Sequence, residues 1–215
     1  MWQWSIVKDA EHEYHNDPDV VSVTETLCCL RAAYFDRAVD YAEEPKRLLA
    51  RCNGAALHEA RAEAAVPMYR LLGEDVAAES KFMRFLDGER RLIGTADWAS
   101  RAEIRDYKFM QATRKTYDSR HVEQLNIYSQ MAGGGHKMIV DQESLKDHAA
   151  HEVHEMPDAL DRCKERALLL LKACDAEDPK MLDAEGPNVK FFRICQCDFC
   201  PHFDACGDGK KTEKK

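Results

Sequence analysis

The sequence predicts an α/β fold, a mixed central sheet flanked by helices, on three observations. Apolar residues recur at helical spacing on both sides of a central stretch. That stretch, 78–109, changes to the two-residue period of strands. A further strand-length run, 137–140, follows a helix, and a strand reached through a helix can join a sheet in parallel by a crossover.

In chain order, residues 1–20 are acidic, carry Trp2 and Trp4 without periodicity, and read as a strap across the surface. Ser22-Val23-Thr24-Glu25 has the form of a capping box and opens a helix to about Asp40, with Leu27, Leu30, Tyr34 and Phe35 as core contacts. Glu43-Glu44-Pro45 breaks it, and a second helix runs from about Lys46 to Met68, holding Gly54 and, one turn on, His58. Strands at 81–86, 90–98 and 103–109 form an antiparallel meander that turns at Asp87-Gly88. A helix over 118–131 stops at Gly133-Gly134-Gly135, and a short strand returns at 137–140. His148, His151 and His154 read as a polar helix face, because the helical zinc motif needs histidines four apart. The helix at 158–174 precedes Gly186-Pro187.

A chain of 215 residues, 45% hydrophobic, can bury one good core, so 1–206 is expected to form a single domain and 207–215 a disordered tail. No run of about eighteen apolar residues occurs, and the first residues lack a basic, apolar leader, which predicts a cytoplasmic protein that does not enter membranes. The net charge of −8 argues against a nonspecific DNA coat. Its distribution is uneven: 81–120 hold ten Lys/Arg against six Asp/Glu, whereas 141–190 hold seven against thirteen. A basic cleft can attract an anionic polymer to an acidic molecule.

That basic stretch surrounds Gly94-Thr95-Ala96-Asp97 and Ile104-Arg105-Asp106-Tyr107-Lys108. On a strand, Asp106 and Lys108 project to one face and Tyr107 to the other. Should the hairpin bring Asp97 alongside, two carboxylates converge beside an ammonium. A hard divalent cation takes such oxygens and polarises a phosphoryl group, while the fixed lysine stabilises developing charge. This is the equipment of phosphodiester hydrolysis. An isolated acid-x-base triplet in a charge-rich chain is more often a solvated strand face.

Nine cysteines, an odd number in a chain of this size, point to reduced thiols and metal ligands rather than disulfides. Cys197, Cys200 and Cys206 stand at C-x₂-C-x₅-C spacing, close enough to wrap one metal, with His202, Cys28 or Cys29 available as a fourth ligand. Spacing alone does not choose between zinc and an iron-sulfur cluster.

Taken in order, Cys29-Leu30-Arg31, Gly54-x₃-His58-Glu59, Gly94-x₂-Asp97, Asp106-Tyr107-Lys108, Gln124-x₃-Tyr128 and the terminal cysteine triad resemble the RecB-like exonucleases of the PD-(D/E)XK superfamily that carry a four-iron four-sulfur cluster, the CRISPR-associated and phage types. The resemblance spans about Val21 to Cys206. It implies Mg²⁺ or Mn²⁺ on His58, Asp97, Asp106 and the Tyr107 carbonyl, with Asp97, Asp106 and Lys108 catalytic. It further implies Gln124 and Tyr128 facing DNA, and a [4Fe-4S] cluster on Cys29, Cys197, Cys200 and Cys206 that joins 21–40 to 191–206. Cys28 and Cys195 stand close enough in sequence to compete as ligands, and Leu30 stands where the family often has proline. The implied activity is exonucleolytic cleavage of single-stranded DNA or frayed ends, with CRISPR adaptation or recombination proteins as partners. The competing reading is a noncatalytic adaptor that binds DNA ends, keeps the fold and holds a structural metal; it has no need of intact Asp97, Asp106 and Lys108.

Overall fold

The computed structural model describes residues 17–38, 45–73, 75–110, 113, 115–144, 146–182, 202 and 206. Residues 1–16 of the expected strap at 1–20, the Gly186-Pro187 stop and the C-terminal tail lie outside them. The chain divides into two compact units, one built on Ala42–Met83 and Gly94–Leu160, the other on Asp9–Tyr41, Arg84–Ile93 and Asp161–Lys215.

In the first unit, helix α3 (Pro45–Leu71) precedes strands β2 (Val76–Phe85), β3 (Arg91–Ser100) and β4 (Glu103–Phe109); α4 (Ser119–Met131), β5 (Lys137–Glu143) and β6 (His148–Glu152) follow. β2 and β3 continue into the second unit. The pairing is mixed. β3 and β4 are antiparallel, with Trp98 opposite Arg105; β4 and β5 are parallel; β5 and β6 are antiparallel. The sequence predicts the crossover through α4 that makes β5 parallel.

Tyr107 and Trp98 project to one face, where they form a core with Val76 and receive Val66 and Tyr69 of α3. Asp106 and Lys108 project to the other. α4 packs on β4 and β5 through its buried stripe, which includes Val122, Leu125, Ile127 and Tyr128. It ends where Gly133, Gly134 and Gly135 all take positive φ, with the Gly134 N–H donating to the Ser129 carbonyl at 2.8 Å. A residue with a Cβ is strained in that conformation.

β5 runs three residues past the expected Val140 because its polar end is buried and satisfied. Asp141 is fully buried and accepts from Arg105 at 3.0 Å and pairs with His148 Nε2 at 2.9 Å, while Gln142 donates to the Thr116 carbonyl at 3.1 Å. Buried on both faces, β5 does not show the alternation of a half-exposed strand. The same pairing corrects the reading of His148 and His151. They lie on strand β6, His148 bound to Asp141 and His151 set edge-on to the Tyr117 ring, so neither belongs to a helix face. His154 follows the strand and uses its backbone carbonyl to accept from Asn126 at 3.0 Å.

The second unit holds β1 (Val20–Ser22), α1 (Val23–Thr26), α2 (Leu30–Ala38) and most of α5 (Ala159–Asp175), with a short 3₁₀ turn at Pro179–Met181. β1, unforeseen in the sequence, runs parallel to Arg91–Ile93. The capping box is present: Ser22 Oγ accepts from the Glu25 N–H, and Glu25 accepts from the Ser22 N–H at 2.7 Å. The expected single helix to Asp40 is broken at Leu27–Cys29. Arg166 makes the break tolerable by donating to the Thr26 carbonyl and, at 2.8 Å, to the Cys28 carbonyl, groups that a continuous helix would have bonded internally. Arg31 likewise donates to the Leu182 carbonyl at 3.0 Å.

The iron-sulfur appendage expected to join 21–40 to 191–206 is not sustained. Cys197 and Cys200 lie outside the described residues. Of the other two assigned ligands, Cys29 is buried beside the helix break, and Cys206 Sγ lies 3.9 Å from the Arg31 guanidinium. Among the described residues no cysteine belongs to a convergent group of three donors. The C-x₂-C-x₅-C spacing also departs from the tight runs that bind bacterial clusters. What stands of the expectation is an α/β core, a mixed sheet flanked by helices, without the cluster.

Candidate metal centre

β3 and β4 bring the acidic groups together. Carrying the register one step from Trp98 opposite Arg105 sets Asp97 opposite Asp106. Asp97 is fixed from two sides: its Oδ2 accepts from the Tyr107 N–H at 2.6 Å, and its Oδ1 lies 3.1 Å from His58 Nδ1 on α3. The backbone bond ties the carboxylate to the neighbouring strand, so its position follows that of the sheet. His58 sits three residues before Arg61, whose guanidinium lies 3.8 Å above the Tyr107 ring and also engages Glu143. That contact holds α3 over β4.

Glu79 is the residue that sequence reading missed. Its carboxylate and the donor atoms of His58 and Asp97 all lie within 4.8 Å of one another, the one such group among the described residues. Glu79 lies within β2 and has a φ of 49°, left-handed backbone that costs a residue with a Cβ about 1–3 kcal/mol. Backbone strain of this kind gathers at functional sites, and here it accompanies a carboxylate turned toward His58 and Asp97.

Asp106 is 3% exposed. Its Oδ1 accepts from Lys108 Nζ at 2.7 Å, whereas Oδ2 is buried with no hydrogen-bond partner among the described residues. Burial pushes the Asp106 carboxyl well above the ordinary carboxylate range; Lys108 opposes that rise and Asp97 adds to it. Burial works against the Lys108 ammonium too, but Asp106 and Asp97 outweigh it and the group stays charged. An orphaned carboxylate oxygen near a His/Glu/Asp trio fits a hard divalent cation, and these donors suit Mg²⁺ or Mn²⁺ far better than a soft metal. This is the correction to the cofactor reading: among the described residues the donors that converge are oxygen and nitrogen, and no sulfur arrangement supports [4Fe-4S].

The Asp97 hydrogen bond raises the His58 pKa above its usual value, with burial opposing. The sign follows directly. Without metal, the stabilisation from the His58–Asp97 pair is complete below the unfolded histidine value and is lost as pH rises through the folded one. A cation must displace that proton, so its affinity grows across the same window. The rise in melting temperature that Mn²⁺ produces should be larger at about pH 8 than at about pH 6 by differential scanning fluorimetry. Equal rises at both would remove His58 from the ligand set.

The two residues expected to face DNA differ in setting. Tyr128 is 2% exposed, rests against Phe82, and accepts from Gln124 Nε2 at 2.8 Å. Gln124 is half-buried one turn earlier.

No protein-family model matches the chain, and no curated protein matches it significantly. Among solved structures, the crystal structure of SSO0001 aligns with a TM-score of 0.58 at 18% identity, covering 96% of this chain and 91% of that one. The two proteins share a fold. An alkaline exonuclease from Laribacter hongkongensis aligns at 12% identity, covering 78% of this chain and 94% of its own, with a TM-score of 0.45 that is too low to bear on function. The likeness to SSO0001 shows an α/β fold, and it does not extend to the iron-sulfur, CRISPR-associated or phage subfamily suggested by the cysteines. Among the described residues no helix is long and apolar enough to cross a membrane.

Proposed function

We propose that the protein is a divalent-cation-dependent DNA nuclease that shortens single-stranded DNA or frayed ends. The observation that carries this reading is the grouping of His58, Glu79 and Asp97 beside the buried Asp106–Lys108 pair. Binding alone has no use for four acidic or imidazole donors crowded against one ammonium, because carboxylates repel phosphate. With Mg²⁺ or Mn²⁺ held by His58, Glu79, Asp97 and Asp106, the cation would supply Lewis acidity toward the phosphoryl oxygen and lower the pKa of water.

The chain's own residues do the rest. Asp97 orients His58 and anchors the site to the β4 backbone. Lys108, kept charged by two carboxylates, stands where negative charge builds on phosphorus during attack. Tyr128 holds the Gln124 amide by one hydrogen bond, so Gln124 is the member of that pair offered to the nucleic acid.

The test is an end-labelled assay with purified full-length protein on linear and circular single-stranded DNA, in Mn²⁺, Mg²⁺ or EDTA. Progressive shortening of the linear strand only, dependent on added cation, is expected. Binding without cleavage in either metal would favour the adaptor reading, and equal cleavage in EDTA would reject the cation site.

A further inference from the structure

The segment between β4 and α4 has no part in the chemistry proposed above, yet the sheet holds it beside the cation site. Lys108 on β4 is paired with Gln142 on β5, and Gln142 Nε2 donates to the Thr116 carbonyl at 3.1 Å. Two residues back along the same strands, Asp106 is paired with Val140, and Val140 with His151 on β6. Paired residues project to one face of a sheet, so Asp106, Lys108, Gln142 and His151 share a face. With strands about 4.8 Å apart, the His151 backbone stands about 10 Å from that of Asp106. The Tyr117 ring lies edge-on to His151, with centroids 5.6 Å apart and planes at 65°.

Tyr117 is thus fixed before any ligand arrives. Its backbone is tied on one side by the Thr116 carbonyl and on the other by Asp118, which caps α4 by accepting from the Arg120 N–H at 2.9 Å. His151 supports the ring, and both residues are half-buried, so part of Tyr117 stays open to solvent. A tyrosine has two side-chain torsions, and one already held in place loses little freedom when it binds. The surrounding sequence is cationic: 113–120 hold Arg114, Lys115 and Arg120 against Asp118 alone, and Lys115 is exposed. An aromatic face set among cations suits a single strand of nucleic acid, whose bases stack on the ring while its phosphates meet the charges. A duplex keeps those faces inside its own stack.

We infer that Tyr117 is a substrate-binding residue, on whose ring an unpaired base stacks a short way along the strand from the scissile phosphate. This deepens the nuclease reading and rests on it, because the ring gives the site a physical preference for unpaired over paired bases.

The test is binding of a fluorescent single-stranded oligonucleotide to the full-length protein, read by anisotropy in EDTA so that no cleavage intervenes. Tyr117→Leu should weaken binding by about 10-fold, the scale of one lost base–ring stack. Tyr117→Phe, which keeps the ring, should bind within about twofold of wild type. The salt dependence of Tyr117→Leu should match that of wild type, because a ring neutralises no phosphate. An oligonucleotide of the same length built of abasic sites carries the charge without the bases, and should bind wild type and Tyr117→Leu within about twofold of each other. Wild-type affinity in Tyr117→Leu, an equal loss in Tyr117→Phe, or the same loss on the abasic strand would overturn the inference. Should Tyr117→Leu not fold, Tyr117→Met, which fills similar space against His151 without an aromatic face, takes its place with the same expectations. Cation-dependent cleavage by a protein whose Tyr117→Leu variant binds like wild type would defeat this inference alone. A wild-type protein that binds no single strand, in EDTA or in Mn²⁺, would defeat the nuclease reading along with it.

Discussion

Asp97→Asn should lose at least about 100-fold in Mn²⁺ affinity and be inactive in cleavage, yet fold normally. Outer-sphere changes at metal sites already cost about 10–100-fold, and Asp97 is a direct donor in this assignment. The substitution isolates charge from architecture. An asparagine carbonyl can still accept from the Tyr107 N–H, now bonded to Asp97 at 2.6 Å, so the β3–β4 pairing survives. His58 loses its anionic partner at the same time, and its pKa should fall back toward the ordinary histidine value. Titration calorimetry with Mn²⁺ reads the first effect and NMR of the His58 ring the second. Affinity within about threefold of wild type would show that the cation, if bound, sits elsewhere.

Lys108→Ala should reduce cleavage by about 10²–10³-fold, the loss seen when one preorganised charge stabiliser is removed. Two causes contribute, and pH separates them. Lys108 opposes the burial that raises the Asp106 pKa, so its removal should raise that pKa further and leave Asp106 protonated over more of the working range. A carboxyl with a raised folded-state pKa is in its weak-ligand, protonated form below that value and becomes a donor as pH rises through it. At about pH 9 part of the lost activity should therefore return, and the remaining deficit belongs to Lys108 itself. Single-turnover rates across pH in saturating Mn²⁺ measure both. Wild-type rates at neutral pH would reject the site.

The part of this site that lies on one hairpin was legible in the sequence. Asp97, Asp106 and Lys108 occupy alternating positions on adjacent strands, and strand period alone predicts that they meet. His58 was read from its place in an ordered set of motifs, since no local pattern joins a helical histidine to a strand some forty residues on. Glu79 was not legible, because it meets His58 and Asp97 through a left-handed residue that no strand pattern anticipates. The break between α1 and α2 was hidden for a similar reason: it depends on Arg166, about 140 residues away, to bond the freed carbonyls. The cysteines failed in the opposite direction. Closeness along the chain suggested a shared ligand, yet Cys206 lies against Arg31.

The backbone at Glu79 sets thermal robustness against chemistry. Glycine adopts a φ near 49° without penalty and asparagine does so more readily than glutamate, so either would make the chain harder to melt. Both would remove a carboxylate from the cation site. A screen that ranks variants of this protein by melting temperature alone would therefore enrich changes at position 79 and, with each round, select a sturdier molecule that lacks one donor of the proposed cation site.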